Sequence, residues 1–128
     1  MKEPNWLTRE ECLSLHDMML SQYGGIAGVR DENMLESALA KPQQLFHHGK
    51  PTMADLGAAY AAGIVKNHPF LDGNKRTGFM MGAGFLERNG FDFLATEADA
   101  VLRTLALAAG EMTEAAYAHW LKANSKRA

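Results

Sequence analysis

The densest chemistry in the sequence is one run, His68-Pro69-Phe70-Leu71-Asp72-Gly73-Asn74-Lys75-Arg76-Thr77-Gly78. An imidazole, a carboxylate, a carboxamide and two cations stand within nine residues of it. Histidine is the residue type that exchanges protons near neutral pH, which makes His68 the candidate general base. Asp72 offers a hard oxygen of the kind Mg²⁺ takes when phosphates complete its shell. Lys75 brings a compact charge and Arg76 a planar fork, both suited to phosphate oxygens. Gly73 leaves the backbone open to an anion, and Asn74 stands beside it.

Two helices must position this run. Pro69 lacks an N–H and biases His68 away from helical angles, so the helix through Tyr60, Ile64 and Val65 is predicted to end at about Asn67. A second helix is predicted to start near Asn74, because Phe79, Met80, Phe85 and Leu86 recur at roughly helical spacing before an Asn89-Gly90 stop. The loop thus opens onto a helix N-terminus, where free N–H groups and the dipole favour anions. Singly, these residues have ordinary explanations: a histidine near a helix end, a turn-forming Asp-Gly-Asn, solvated cations. Two cations in a first turn nevertheless oppose the dipole, and a local rule broken without local compensation points to a ligand anion.

At 128 residues and 47% apolar, the chain is expected to form a single domain, 1–128, with a real core. The net charge of −2 argues against general nucleic-acid binding. One cysteine, Cys12, permits no internal disulfide, fits a reducing cytosol and lies on an apolar helical stripe, where it reads as core. The charged, proline-bearing start is not a signal peptide, and the longest apolar run, Leu56 to Val65, is too short for a bilayer. The expected location is therefore cytoplasmic, with no membrane association.

Caps mark the remaining helices. Thr8 with Glu11 forms a capping box for a helix with Cys12, Leu15 and Met19 on one face, running to about Gln22. Tyr23 to Gly28 reads as a glycine-rich turn, since it lacks the ending of a nucleotide-binding loop. Asp31 caps a short helix through Leu35 and Leu39 that should stop before Pro42. Residues Pro42 to Pro51 then read as the longest irregular connection; His47-His48 within it has no further ligand at metal spacing.

Thr52 with Asp55 opens an Ala- and Gly-rich helix expected to be central and most buried. Gly78, Gly82 and Gly84 make sense if another backbone approaches them. Phe91 to Leu94 is expected to be briefly extended. Thr96 with Asp99 starts a helix through Leu107, and Thr113 caps the last, with Tyr117, Trp120 and Leu121 on one face. The polar tail, Lys122 to Ala128, is expected to fray.

The loop resembles the signature of the Fic family, histidine-x-phenylalanine-x-aspartate/glutamate-glycine-asparagine-x-arginine. Asn74-Lys75-Arg76-Thr77 is similar to its death-on-curing (Doc) branch. The likeness continues through Leu15-His16-Asp17, Tyr23-Gly24-Gly25, Gly28-Val29-Arg30-Asp31, Leu35-Glu36-Ser37-Ala38, Pro42-Gln43, Phe85-Leu86 and Asn89-Gly90.

The resemblance implies an all-α, compact Fic-fold bundle of about six helices, with a short flap before the central helix that clamps a target segment. It implies ATP and Mg²⁺ as cofactors, His68 as the base that deprotonates a target hydroxyl, and Asp72 as the Mg²⁺ ligand. Gly73 and Asn74 match the anion-holding turn, and Lys75 and Arg76 the phosphate-neutralising positions.

Lys75, where AMP-transferring members carry a small residue, and Phe79, where they carry a second arginine, favour the Doc branch. That branch implies a toxin that phosphorylates a target protein, with elongation factor Tu the expected substrate, and that is restrained by a cognate antitoxin. AMP transfer by the same site is the alternative. A non-catalytic nucleotide- or partner-binding module is the alternative of another class, and an intact His68 and Asp72 speak against it.

Overall fold

Every helix start that the sequence marks with a threonine or aspartate cap is one in the computed structural model, which describes residues 2–128. Thr8 opens α1 (Arg9–Tyr23), Asp31 opens α2 (Glu32–His48) and Thr52 opens α3 (Met53–Asn67). In each, the side-chain oxygen accepts the backbone N–H three residues on, and Thr8–Glu11 and Thr52–Asp55 close full capping boxes. The exception is α4 (Asn74–Arg88), which begins at Gly73 with no side-chain cap at all. Thr96 and Thr113 then start α5 (Glu97–Ala108) and α6 (Glu114–Ala123). The all-α expectation of about six helices holds.

The centre is α3, buried from Leu56 through Val65. Its Leu56, Tyr60 and Ile64 join Leu35, Phe70 and Phe85 in one apolar cluster, while Ala58, Ala61 and Ala62 face Leu107, Tyr117 and Leu121 in another. Small residues let its neighbours approach at backbone distance. A Cβ on Gly82 would stand 2.9 Å from the Gly57 carbonyl oxygen, and one on Gly78 would stand 2.7 Å from the Val65 side chain. Gly84, predicted to serve the same purpose, meets nothing within 4 Å.

Two expectations fail. The helix predicted to end before Pro42 continues through it to His48, so no flap spans Pro42 to Pro51 and only Gly49 to Thr52 remain irregular. Pro42 deprives the Ala38 carbonyl of its helical donor, yet Ala38 lies against α3, where a Cβ on Gly63 would come within 3.1 Å of its backbone. Beyond the proline, Leu45 and Phe46 pack on the core, and Trp6 meets the Phe46 ring edge-on at 5.6 Å. That burial outweighs a defect of about 3 kcal/mol.

The tail does not fray either. Ser125–Arg127 forms β2, antiparallel to β1 (Phe91–Phe93), with Phe91 opposite Arg127 and Phe93 opposite Ser125. The Arg127 guanidinium lies over the Phe91 ring at 4.8 Å, and the Ala128 N–H donates to the Gly90 carbonyl. The extended reading of residues 91–93 is correct; its partner strand was unforeseen. Among the described residues no helix is long and apolar enough to cross a membrane.

Candidate active site

The site forms where α3 stops. Pro69 forces the break, and His68 caps the helix in the left-handed region, φ 53° and ψ 52°, the one non-glycine there among the described residues. Such a conformation costs about 1 kcal/mol and needs outside support.

Arg30 provides it. Its Nε donates to the His68 carbonyl at 2.7 Å and its Nη2 to the Asn67 carbonyl at 3.0 Å, setting a cation on the negative end of α3. The backbone of the same segment holds the next residues. Arg30 and Asp31 N–H groups donate to the Pro69 carbonyl, and Leu71 N–H donates to Gly28.

The loop's underside rests on α1. Phe70 is fully buried and stacks on His16, whose Nε2 donates to the Asp72 carbonyl at 2.8 Å. Gly73 then turns the chain with φ 79°, a conformation glycine adopts freely. Space around it is ordinary, since a Cβ would meet His16 no closer than 3.6 Å. Backbone angle is thus the reason for glycine at this point.

Three of the predicted residues present charge to the cleft. The Asp72 carboxylate is exposed, accepts the Gly73 N–H at 2.9 Å through Oδ1, and accepts the Ile26 N–H at 3.2 Å through Oδ2. Lys75 and Arg76 are exposed in the first turn of α4, which has no acidic residue. Among the described residues neither forms a salt bridge, although four other Arg or Lys side chains do. Instead the Arg76 guanidinium lies over the Tyr23 ring at 4.3 Å.

Asn74 stands apart from these. It is buried, and its amide bonds inward, to both backbone groups of Phe70 and to the Nδ1 of His68.

A cleft of about 650 Å³ is lined by His68, Asp72, Gly73, Asn74, Lys75 and Arg76, so the fold brings all six predicted residues to one place. An apolar wall of the cleft includes Met18, Phe79, Val101 and Leu105, and Glu97 adds a second carboxylate to the lining. Sequence reasoning missed Tyr23, Arg30 and His16 as supporting residues. All three fall in stretches that carry the family resemblance, and His16 has a further signal as an imidazole one turn from Cys12 on the buried stripe of α1. No group of three His, Cys, Asp or Glu among the described residues is placed to hold a metal. A cation at Asp72 would complete its shell with water and the oxygens of a ligand.

The chain is 31% identical to the protein kinase doc of Escherichia phage P1 over 117 residues, 91% of this chain and 92% of that protein. It is 34% identical to the toxin Doc of Mycolicibacterium smegmatis over 92 residues, 70% of this chain and 68% of that one. The sequence model of the Fic/DOC family matches residues 6–86, from the entry to α1 to the end of the apolar stripe of α4. With well over half its length matched, including every residue of the loop, the chain belongs to the Fic/DOC family.

Proposed function

We propose that this chain is a Doc-like toxin of a toxin–antitoxin pair. In this reading it moves the γ-phosphate of ATP onto a hydroxyl of a target protein, elongation factor Tu being the candidate, and so arrests translation in the cytoplasm. The observation that carries the reading is the start of α4. Lys75 and Arg76, without acidic partners, share one cleft with the Asp72 carboxylate and the His68 imidazole. A polyphosphate and its cation satisfy all of these groups together.

Transfer from the γ position is favoured over AMP transfer by the kinase name of the phage P1 relative. Phe79 favours it too, for it lines the cleft where AMP-transferring members carry an arginine. The hydroxyl oxygen of the target forms a bond to the γ-phosphorus as the bond to the β-bridging oxygen breaks. The hydroxyl proton passes to His68, and ADP leaves. Lys75, Arg76 and the free N–H groups of α4 hold the phosphate charge, which suits a reaction that needs positioning and electrostatics above all.

Asp72 fits Mg²⁺, being exposed on the cleft and held by two backbone N–H donors. Bound there beside the phosphates, the ion supplies further neutralisation of their charge. The cognate antitoxin is assigned the apolar wall, where Met18, Val101 and Leu105 are 45%, 52% and 47% exposed.

The test is label transfer from ATP to the proteins of a bacterial lysate with Mg²⁺, using γ- and α-labelled nucleotide in parallel. Label from the γ position alone, lost by about 10²-fold or more in His68→Ala, is the expected result. Label from the α position would replace the reading with AMP transfer, and label from neither would remove the transferase assignment.

A further inference from the structure

The amide of Asn74 is held so tightly that its two ends can be told apart. Its Oδ1 accepts the Phe70 N–H at 3.0 Å, and its Nδ2 donates to the Phe70 carbonyl at 3.0 Å. A backbone N–H only donates and a carbonyl only accepts, so the reverse orientation would break both bonds. Only 3% of Asn74 is exposed, which leaves it no alternative partners in water.

The second hydrogen of Nδ2 is then available to the other polar atom beside it, Nδ1 of His68 at 3.1 Å. A donor facing that nitrogen requires a lone pair on it. The neutral imidazole must therefore carry its proton on Nε2.

We infer that Asn74 is the positioning residue that sets the tautomer of His68, making Nδ1 the atom that takes the proton and leaving Nε2 as an N–H donor. The inference rests on the reading of His68 as the base. In the free chain the accepting lone pair is covered by Asn74, whose amide Phe70 holds in place, so the exposed imidazole must turn away from it to present Nδ1 to the target hydroxyl. Nε2 has no protein partner among the described residues and is free to donate to a phosphate oxygen.

The test is nitrogen NMR of the chain with ring-labelled histidine, recorded at alkaline pH where the rings are uncharged. The His68 signals are identified by their loss in His68→Ala. The expected spectrum has Nδ1 at the shift of an unprotonated, hydrogen-bonded nitrogen and Nε2 at that of a protonated one, without averaging toward the minor tautomer. In Asn74→Asp a carboxylate faces Nδ1 and should interchange the two positions. Averaged shifts like those of a solvated imidazole, a protonated Nδ1 in the parent chain, or an unchanged pattern in a folded Asn74→Asp would each overturn the inference. Should that variant fail to fold, the parent spectrum decides alone. Because no transfer is measured, failure of the kinase reading leaves this result standing.

Discussion

The imidazole of His16 lies flat against the ring of Phe70, centroids 3.8 Å apart and planes 9° from parallel, while its Nε2 holds the carbonyl of Asp72. One side chain of α1 thus fixes both the buried anchor of the loop and the peptide that precedes its glycine turn. Neither contact touches the cleft charges directly.

His16→Phe keeps a ring on Phe70 and removes the hydrogen bond. Unfolding in denaturant should show a loss of about 1 kcal/mol, the usual net value of such a bond. Label transfer should fall further, by about 10²-fold, because the Asp72-Gly73 turn is no longer held in place. Full activity in the variant would mean that the turn keeps its shape without help from α1.

Arg30→Met removes the guanidinium from the His68 and Asn67 carbonyls while keeping much of its stem. With a left-handed His68 to support, the loss should be about 1–2 kcal/mol, felt locally. Hydrogen exchange should accelerate at Leu71, whose N–H is tied to Gly28, and stay slow in the middle of α3. Unchanged exchange at Leu71 would show that the backbone pairing suffices.

Two glycines of α4 should respond in opposite ways to alanine. Gly82→Ala drives a methyl to 2.9 Å from the Gly57 carbonyl and should cost about 1–3 kcal/mol in thermal or denaturant unfolding. Gly84→Ala meets open space in a helix interior and should gain about 0.5–1 kcal/mol. Equal effects from the two would contradict the close approach of α3 and α4.

Alkaline pH should weaken the fold through three buried groups. Burial pushes the Cys12 thiol from 9.0 up to about 12, and the Tyr60 and Tyr117 hydroxyls from 10.0 up to about 12. Above pH 9 the unfolded chain releases these protons first, so stability present below that pH is lost as pH rises toward 12. Denaturant midpoints measured across that range should fall. Cys12→Ala, weaker overall, should show a shallower decline between pH 9 and 10, and an equal slope would remove Cys12 from the account.

What could be read from the sequence was what short-range chemistry decides. Thr8, Thr52, Thr96 and Thr113 cap helices through bonds to residues three positions away. Pro69 and Gly73 shape the loop through their own backbone limits, so the loop's boundaries and its own six residues in the cleft lining were visible in advance. Distance in sequence hid the rest. Residues 43–48 stay helical because Trp6 and the core receive Leu45 and Phe46, and Lys126 and Arg127 pair with a strand more than thirty residues earlier, something no local pattern announces. The contacts of Arg30 and Tyr23 were hidden because their partners, two helix-end carbonyls and Arg76, belong to other elements.

The contact of Gly57 with Gly82 bears on how such a protein can diversify. It welds α3 to α4, and these two helices carry His68 at one end and Lys75 and Arg76 at the other side of a six-residue gap. These three residues thus share one rigid chassis, and the mostly exposed segment from Gly24 to Arg30 is joined to it through the Arg30 guanidinium, the Ile26 N–H and a few backbone bonds. Drift at the remaining exposed positions of that segment can alter the surface beside the cleft while the distance from His68 to Lys75 and Arg76 stays constant.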